Sequence, residues 1–220
     1  MDTLNAAEKA ELLRVAESVG QAAFQQLSAQ RHPSQCILFV ANLQRAIDDV
    51  VLGSEYHGRK SDCSAGCNHC CYVRVEALQP EVFHIARELK AMPPEQLRAH
   101  TERLRAHAEM MESHARTNNR IRCPFLVDEV CSIYPVRPAV CRKAHSLDVA
   151  KCRTPDADIP QNIEIIMKSE ALLKGTAAAY RKAGLVATAT DFGLSVLDAL
   201  TDDQAEVRWY NDRPASNAIV

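Results

Sequence analysis

The segment Cys63-Ser-Ala-Gly-Cys67-Asn-His-Cys70-Cys71 constrains this chain more than any other feature. A thiolate is soft and charged, so several aimed at one place repel unless a cation neutralises them. Metal binding supplies both the neutralisation and the deprotonation. Gly66 relaxes the backbone where it must wrap such a site. Four thiols at C-x3-C-x2-C-C spacing therefore read as metal ligands rather than as small buried hydrophobes, and the polar neighbours Ser64, Asn68 and His69 agree. Cys70 and Cys71, adjacent in sequence, are expected to point apart. One then serves the primary centre while the other packs, serves a second centre or stays a thiol.

A second group follows, with Cys123, Cys131, Cys141 and Cys152 separated by seven, nine and ten residues. These gaps are long for a zinc ribbon, which repeats a C-x2-C knuckle, and no second knuckle exists here. Cys123, Cys131 and Cys141 are expected as further ligands, while Cys152 is balanced between ligand and packing residue. Cys36 falls on the apolar stripe of a helix and reads as core. His69, inside the first group, is expected to point outward or to support a ligand rather than to bind. His57 and His145 are weaker candidates. His100, His107 and His114 share a row, but successive members lie about 10 Å apart along a helix, so they read as a hydrated flank. Arg137 and Arg142 could set a guanidinium against the sulfur-bound cofactor or an anionic substrate, or bond the carbonyls of the YPVRP turn. Tyr134 should pack its ring over the same loop, and Asp128, Glu129, Asp148 and Asp156 read as ordinary loop acids.

Together these elements resemble the YkgJ-like cysteine-cluster family, named for a CxxCxxCC motif. The matching pieces are the four clustered cysteines, an acidic helix start at Glu81, and the CPFL, CSIYPVRP and CR elements beginning at Cys123, Cys131 and Cys141. Three residues separate Cys63 from Cys67 where the family name has two. The resemblance spans roughly Cys63 to Cys152 and implies a zinc- or iron-chelating domain. Flagellin lysine-methylating proteins look like distant members, with iron–sulfur-dependent chemistry, but this chain is shorter than such an enzyme should be.

Seven glycines and long proline-free stretches argue for helices around this region. Apolar residues at three- and four-residue steps predict helices over about Thr3–Ala29, Pro33–Leu52, Pro80 to Pro93, Pro94 to Arg116, Gln161–Ala183, Thr190–Leu200 and Asp202–Tyr210. The first two are expected to form a hairpin. Cys71 to Val75 reads as a brief strand or extended connection. The expected fold is thus mostly α, a helical bundle enclosing an irregular cysteine-rich metal-binding core. Its segments are an N-terminal hairpin (1–55), the cysteine core (56–155) and C-terminal helices packing on it (156–220), read together as one globular unit. With 220 residues and 47% hydrophobic content, the chain can bury roughly 70% of its unfolded surface without covalent staples.

Lys plus Arg total 26 against 28 for Asp plus Glu, giving no electrostatic reason to expect a nucleic acid or an anionic membrane as partner. The N-terminus mixes charged and apolar residues rather than forming an export signal, so the expected location is the cytoplasm, where thiols stay reduced. The scattered spacing and the Cys123-Pro124 pair narrowly favour an iron–sulfur cluster over zinc or iron ions, as a redox, sensing or enzymatic centre. A structural-zinc interaction module is the alternative. A thiol-disulfide oxidoreductase using Cys67-Asn68-His69-Cys70 is a third reading, but no βαβ pattern surrounds that pair. No phosphate loop, HExxH element or nucleophile triad is present, so no catalytic residue is assigned.

Overall fold

A computed structural model describes residues 5–30, 32–55, 58, 60–64, 66–113, 120–154 and 158–212. His57, His114 and Asp156 lie outside the described residues. The chain is mostly helical, as expected. Its helices are α1 (Ala6–Ser28), α2 (Pro33–Leu38), α3 (Val40–Gly53), α4 (Gln79–Lys90), α5 (Pro94–Ser113), α6 (Ala139–Lys143), α7 (Ile163–Lys182), α8 (Phe192–Thr201) and α9 (Ala205–Asn211). Start signals act where the sequence places them. Asn5 and Glu8 form a reciprocal cap on α1, Pro33 opens α2, and Asn162 caps α7 through the Glu164 N–H.

The core is organised around α4. Pro80 through Ala86 are all buried, so the first two turns of this helix are enclosed, with α2, α3, α5 and α8 packed around it. Around it Ile37, Val40, Ile47, Leu104, Tyr180 and Val196 are almost fully buried. Cys36 is 3% exposed beneath Tyr180, whose hydroxyl donates to the Cys36 carbonyl at 2.7 Å, in agreement with a packing role.

Three departures from the sequence reading have physical causes. The stretch expected as one helix from Pro33 divides into α2 and α3 at Phe39, which keeps helical dihedrals (φ −56, ψ −29), so the two join without a loop. The main partner of both α1 and α3 is α7. Small residues on α1 and α7 allow this for α1, since Ala16 and Gly20 lie against Gly175 and Ala16 packs in one cluster with Ala171. Finally, residues 69–72 form a 3-10 turn, and the strand begins later, as β1 (Glu76–Leu78). β1 pairs antiparallel with β4 (Ala189–Asp191) in the register Glu76 to Asp191, Ala77 to Thr190 and Leu78 to Ala189. A three-residue strand has no periodicity of its own to read, so its partner 113 residues away could not be found from pattern.

Gly175 tests the α1–α7 contact. A Cβ there would lie 2.5 Å from the Ala16 carbonyl oxygen and 2.7 Å from the Val19 Cβ. Gly175→Ala should lower stability by about 1–3 kcal/mol, read as a fall in thermal midpoint, because the helices must separate to admit the methyl. An unchanged or raised midpoint would show that the contact is looser than described.

Candidate metal centre

The second cysteine group is built on a hairpin of β2 (Leu126–Val127) and β3 (Val130–Cys131). Its turn residues Asp128 and Glu129 both have positive φ, 48° and 61°, the geometry of the tight turn whose twist matches a hairpin. Asp tolerates this readily, and Glu129 is held by its side chain, which accepts from Arg122 at 3.0 Å and from the Asn68 amide. Phe125 and Ile133 are 0% and 2% exposed and sink the hairpin into the core, with the Phe125 ring 5.1 Å from that of Phe192. The backbone N–H groups of Phe125 and Leu126 donate to the Cys123 sulfur, and that of Ile133 to the Cys131 sulfur. These cysteines therefore have sulfurs already aimed at backbone donors, an arrangement suited to a thiolate.

The first cysteine group is an exposed loop pinned at both ends. Asp62 N–H donates to the Ser146 carbonyl at 2.8 Å, and Ser146 N–H donates to the Cys63 sulfur. At the other end Cys123 N–H donates to the Cys71 carbonyl at 2.7 Å. Gly66 turns the loop with φ 86°, where Cys67 N–H returns to the Ser64 carbonyl. Arg120 holds the His69 carbonyl at 2.5 Å. The two irregular regions thus lie against each other, as neutralising thiolates from both would require.

All seven cysteines expected as ligands, from Cys63 to Cys141, line one cavity of about 1170 Å³, together with Arg137 and Arg142. Cys70 and Cys71 do not point apart. On the 3-10 turn they face one another, and the Cys71 thiol donates to the Cys70 sulfur. That bond lowers the Cys70 thiol to about 6 and raises Cys71. Burial pushes Cys123 up to about 11 and raises Cys63, Cys131 and Cys141. The cysteines also raise one another by repulsion, Cys71 through Cys70, Cys123 and Cys131, and Cys63 through Cys67, Cys70 and Cys152. Without a cation, most of this cluster is protonated. All nine cysteines fall within the described residues and none forms a disulfide. Among the described residues no three Cys, His, Asp or Glu side chains are drawn together tightly enough to hold an ion as they stand. What fits a metal is the donor chemistry: soft sulfurs, converging on one cavity, supplied with N–H donors.

Two arginines divide the roles weighed for them. Arg142 is 7% exposed and donates to Asp48 at 2.5 Å, to the Arg137 carbonyl at 2.8 Å and to the Pro135 carbonyl, so its guanidinium ties the YPVRP turn to α3. Arg137 lies over the Tyr134 ring, 4.0 Å from its centroid, and its charge lowers Cys70, Cys131 and Cys141. His145 has both ring nitrogens engaged, Nδ1 with the Lys143 carbonyl at 2.8 Å and Nε2 accepting from Asn162 N–H at 2.7 Å. His100 and His107 are buried, at 5% and 8%, rather than lying on a hydrated flank. Tertiary packing overrides the polar reading, as His100 stacks on Phe125 at 5.9 Å and His107 abuts Gly193. Asp148 caps a turn by accepting from Ala150 N–H at 3.0 Å.

Two residues matter more than their place in the sequence suggested. Cys152 shares the field of Cys63, because its 3-10 turn (151–153) packs against the turn at 69–72. Glu81 is 1% exposed, and its carboxylate accepts from Leu78 N–H at 3.1 Å and Ala139 N–H at 2.6 Å, so it joins the start of α4 to the start of α6. A glutamate at the third helical position behind a proline signals the first bond but not the second.

Two measurements check this geometry. Glu81→Ala strands two buried N–H donors and should cost about 2–4 kcal/mol in denaturant unfolding, with Glu81→Gln, which keeps one acceptor, losing less. Equal losses would show that the acceptors are not what matters. In metal-free reduced protein the thiolate is the reacting form, so alkylation of Cys70 should rise through pH 6 and level off above it. Cys123, still protonated at pH 7, should lag far behind. Mass spectrometry of the alkylated peptides reads both, and equal rates at pH 7 would contradict the assignment.

Comparison with curated proteins and with solved structures gives no match. A family model does match, over residues 62–166, which take in both cysteine groups, Cys152 and the start of α7. Residues 62–166 thus match the CxxCxxCC family that the cysteine motifs resemble, whose description is "Putative zinc- or iron-chelating domain".

Proposed function

We propose that this chain is a metal–thiolate protein in which Cys63, Cys67, Cys70 and Cys71 act with Cys123, Cys131 and Cys141 to hold iron as an iron–sulfur cluster. One observation carries the reading: seven thiols from two distant segments line one cavity, with backbone N–H groups donating to the sulfurs of Cys63, Cys123 and Cys131. Such donors stabilise thiolate over thiol and, at an iron–sulfur centre, raise its potential. When bound, the metal supplies the positive charge that the crowded sulfurs lack. Arg137 supplies a second, fixed one beside Cys70, Cys131 and Cys141. A cytoplasmic setting belongs to this proposal, since the ligands must stay reduced. Among the described residues no helix is long and apolar enough to cross a membrane.

Zinc bound by the same thiolates is the second reading, with the protein serving as an interaction module. It is favoured by exposed apolar side chains at the cavity rim, with Leu52 74%, Val73 58% and Val130 56% exposed. Anaerobic purification followed by metal and inorganic-sulfide analysis separates the two. Iron with sulfide and a broad visible absorption supports the cluster, a colourless zinc protein supports the module, and metal-free protein in both preparation and reconstitution overturns both.

Metal removal should act unequally on the two loops. The segment 123–142 carries its own core anchors, Phe125, Ile133 and Ala139, and is less dependent on metal than its sparse apolar pattern suggests. Among the described residues of 60–73 none is buried, so such anchors are lacking there. On chelation, hydrogen exchange should accelerate through residues 60–73 while 123–142 and the helices keep their protection. Unchanged protection in 60–73 would mean that metal plays no part in ordering the first loop.

A further inference from the structure

Building on the metal–thiolate reading, we infer that the cysteines form two separate four-thiolate centres rather than one. The outer centre comprises Cys63, Cys67, Cys70 and Cys152. The inner centre comprises Cys71, Cys123, Cys131 and Cys141.

The loop 62–73 runs between two walls and is bonded to each. Its beginning is pinned near the segment that carries Cys152, where Asp62 N–H donates to the Ser146 carbonyl at 2.8 Å, and the turn at 69–72, which carries both Cys70 and Cys71, packs on the turn at 151–153. Its end is pinned to the hairpin that carries Cys123 and Cys131, through the 2.7 Å bond from Cys123 N–H to the Cys71 carbonyl. Cys141, on α6, lines the same cavity as Cys123 and Cys131. The thiols influence one another in two groups that overlap at Cys70. Cys63 is affected by Cys67, Cys70 and Cys152, whereas Cys141 is affected by Cys123, Cys70 and Cys131. Cys70 stands at the boundary, bonded to Cys71 across it.

Ligand number gives the same division. A tetrahedral zinc site takes four protein ligands, and so does a cubane or rhombic iron–sulfur cluster. One such centre would use four thiols and leave the other four unligated. Two centres use every thiol: each divalent ion binds four thiols and releases four protons, leaving a complex of charge −2. Cys152, which sequence spacing left undecided, is then the fourth ligand that the first motif lacks once Cys71 serves the inner centre. The cavity of about 1170 Å³, lined by every proposed ligand except Cys152, far exceeds the share of one ion, given that a water occupies about 30 Å³.

Titration of the metal-free, reduced full-length chain with Co²⁺ tests this, since cobalt–thiolate absorption counts the sites and Zn²⁺ displacement confirms them. The unaltered chain should bind two equivalents. Cys67→Ser and Cys152→Ser should each reduce this to one, leaving the same residual spectrum, and Cys123→Ser and Cys131→Ser should each remove the other equivalent. Cys152 lies on a surface turn away from the core, so its variant remains informative even where a hairpin variant misfolds, and circular dichroism checks helix content in each. A single equivalent in the unaltered chain, or loss of both equivalents in the Cys152→Ser variant with helices intact, would overturn the division into two centres while leaving a thiolate metal site in place. No cobalt–thiolate absorption in the unaltered chain would overturn the metal–thiolate reading itself.

Discussion

The carboxylate of Glu81 is the contact on which the cysteine region depends. It is buried beside the Gln44 side chain and accepts N–H bonds from Leu78, before α4, and from Ala139, at the start of α6. Burial raises its pKa, and the two N–H donors oppose that shift. Buried polar groups of this kind are costly unless satisfied, which is why they define one arrangement rather than several. Through this group the most enclosed helix of the bundle positions the loop that carries Cys131 and Cys141. Arg142 repeats the device one turn later, joining α3 through Asp48 to the carbonyls of Pro135 and Arg137.

Stability is divided unevenly around the cavity. On one side the Cys123–Cys131 hairpin is part of the core, with Phe125 between Phe192 and His100. On the other, the Cys63–Cys71 loop is held by backbone bonds to residues 123 and 146 and by polar contacts such as Asn68 to Glu129. A rigid wall facing an adaptable one lets a metal centre assemble by movement of the loop alone, without disturbing the helices.

The electrostatics of the cavity follow from crowding. Burial and mutual repulsion hold most of these thiols in the neutral form, and Cys70 escapes only because Cys71 donates to it and Arg137 and Arg120 lie near. Ligation has to overcome that preference by releasing protons, so the affinity of such a site rises with pH. The backbone donors to Cys63, Cys123 and Cys131 offset part of the cost before any metal arrives.

The amphipathic helices and the core position of Cys36 were legible from sequence, because each depends on residues within a few positions of one another. The choice of α7 as the partner of α1, the pairing of Glu76–Leu78 with Ala189–Asp191, the burial of His100 and His107, and the meeting of Cys70 with Cys71 were not. Each of these is decided by contacts between distant segments. A histidine row looks hydrated until an apolar ring lies across it, and adjacent cysteines look divergent until a 3-10 turn aligns them. Sequence by itself determined that soft thiolate donors would be gathered in a helical protein. Tertiary structure alone decided which thiols face which, because Glu81, Arg142 and the bonds at residues 71 and 146 position the loops from opposite sides of the fold.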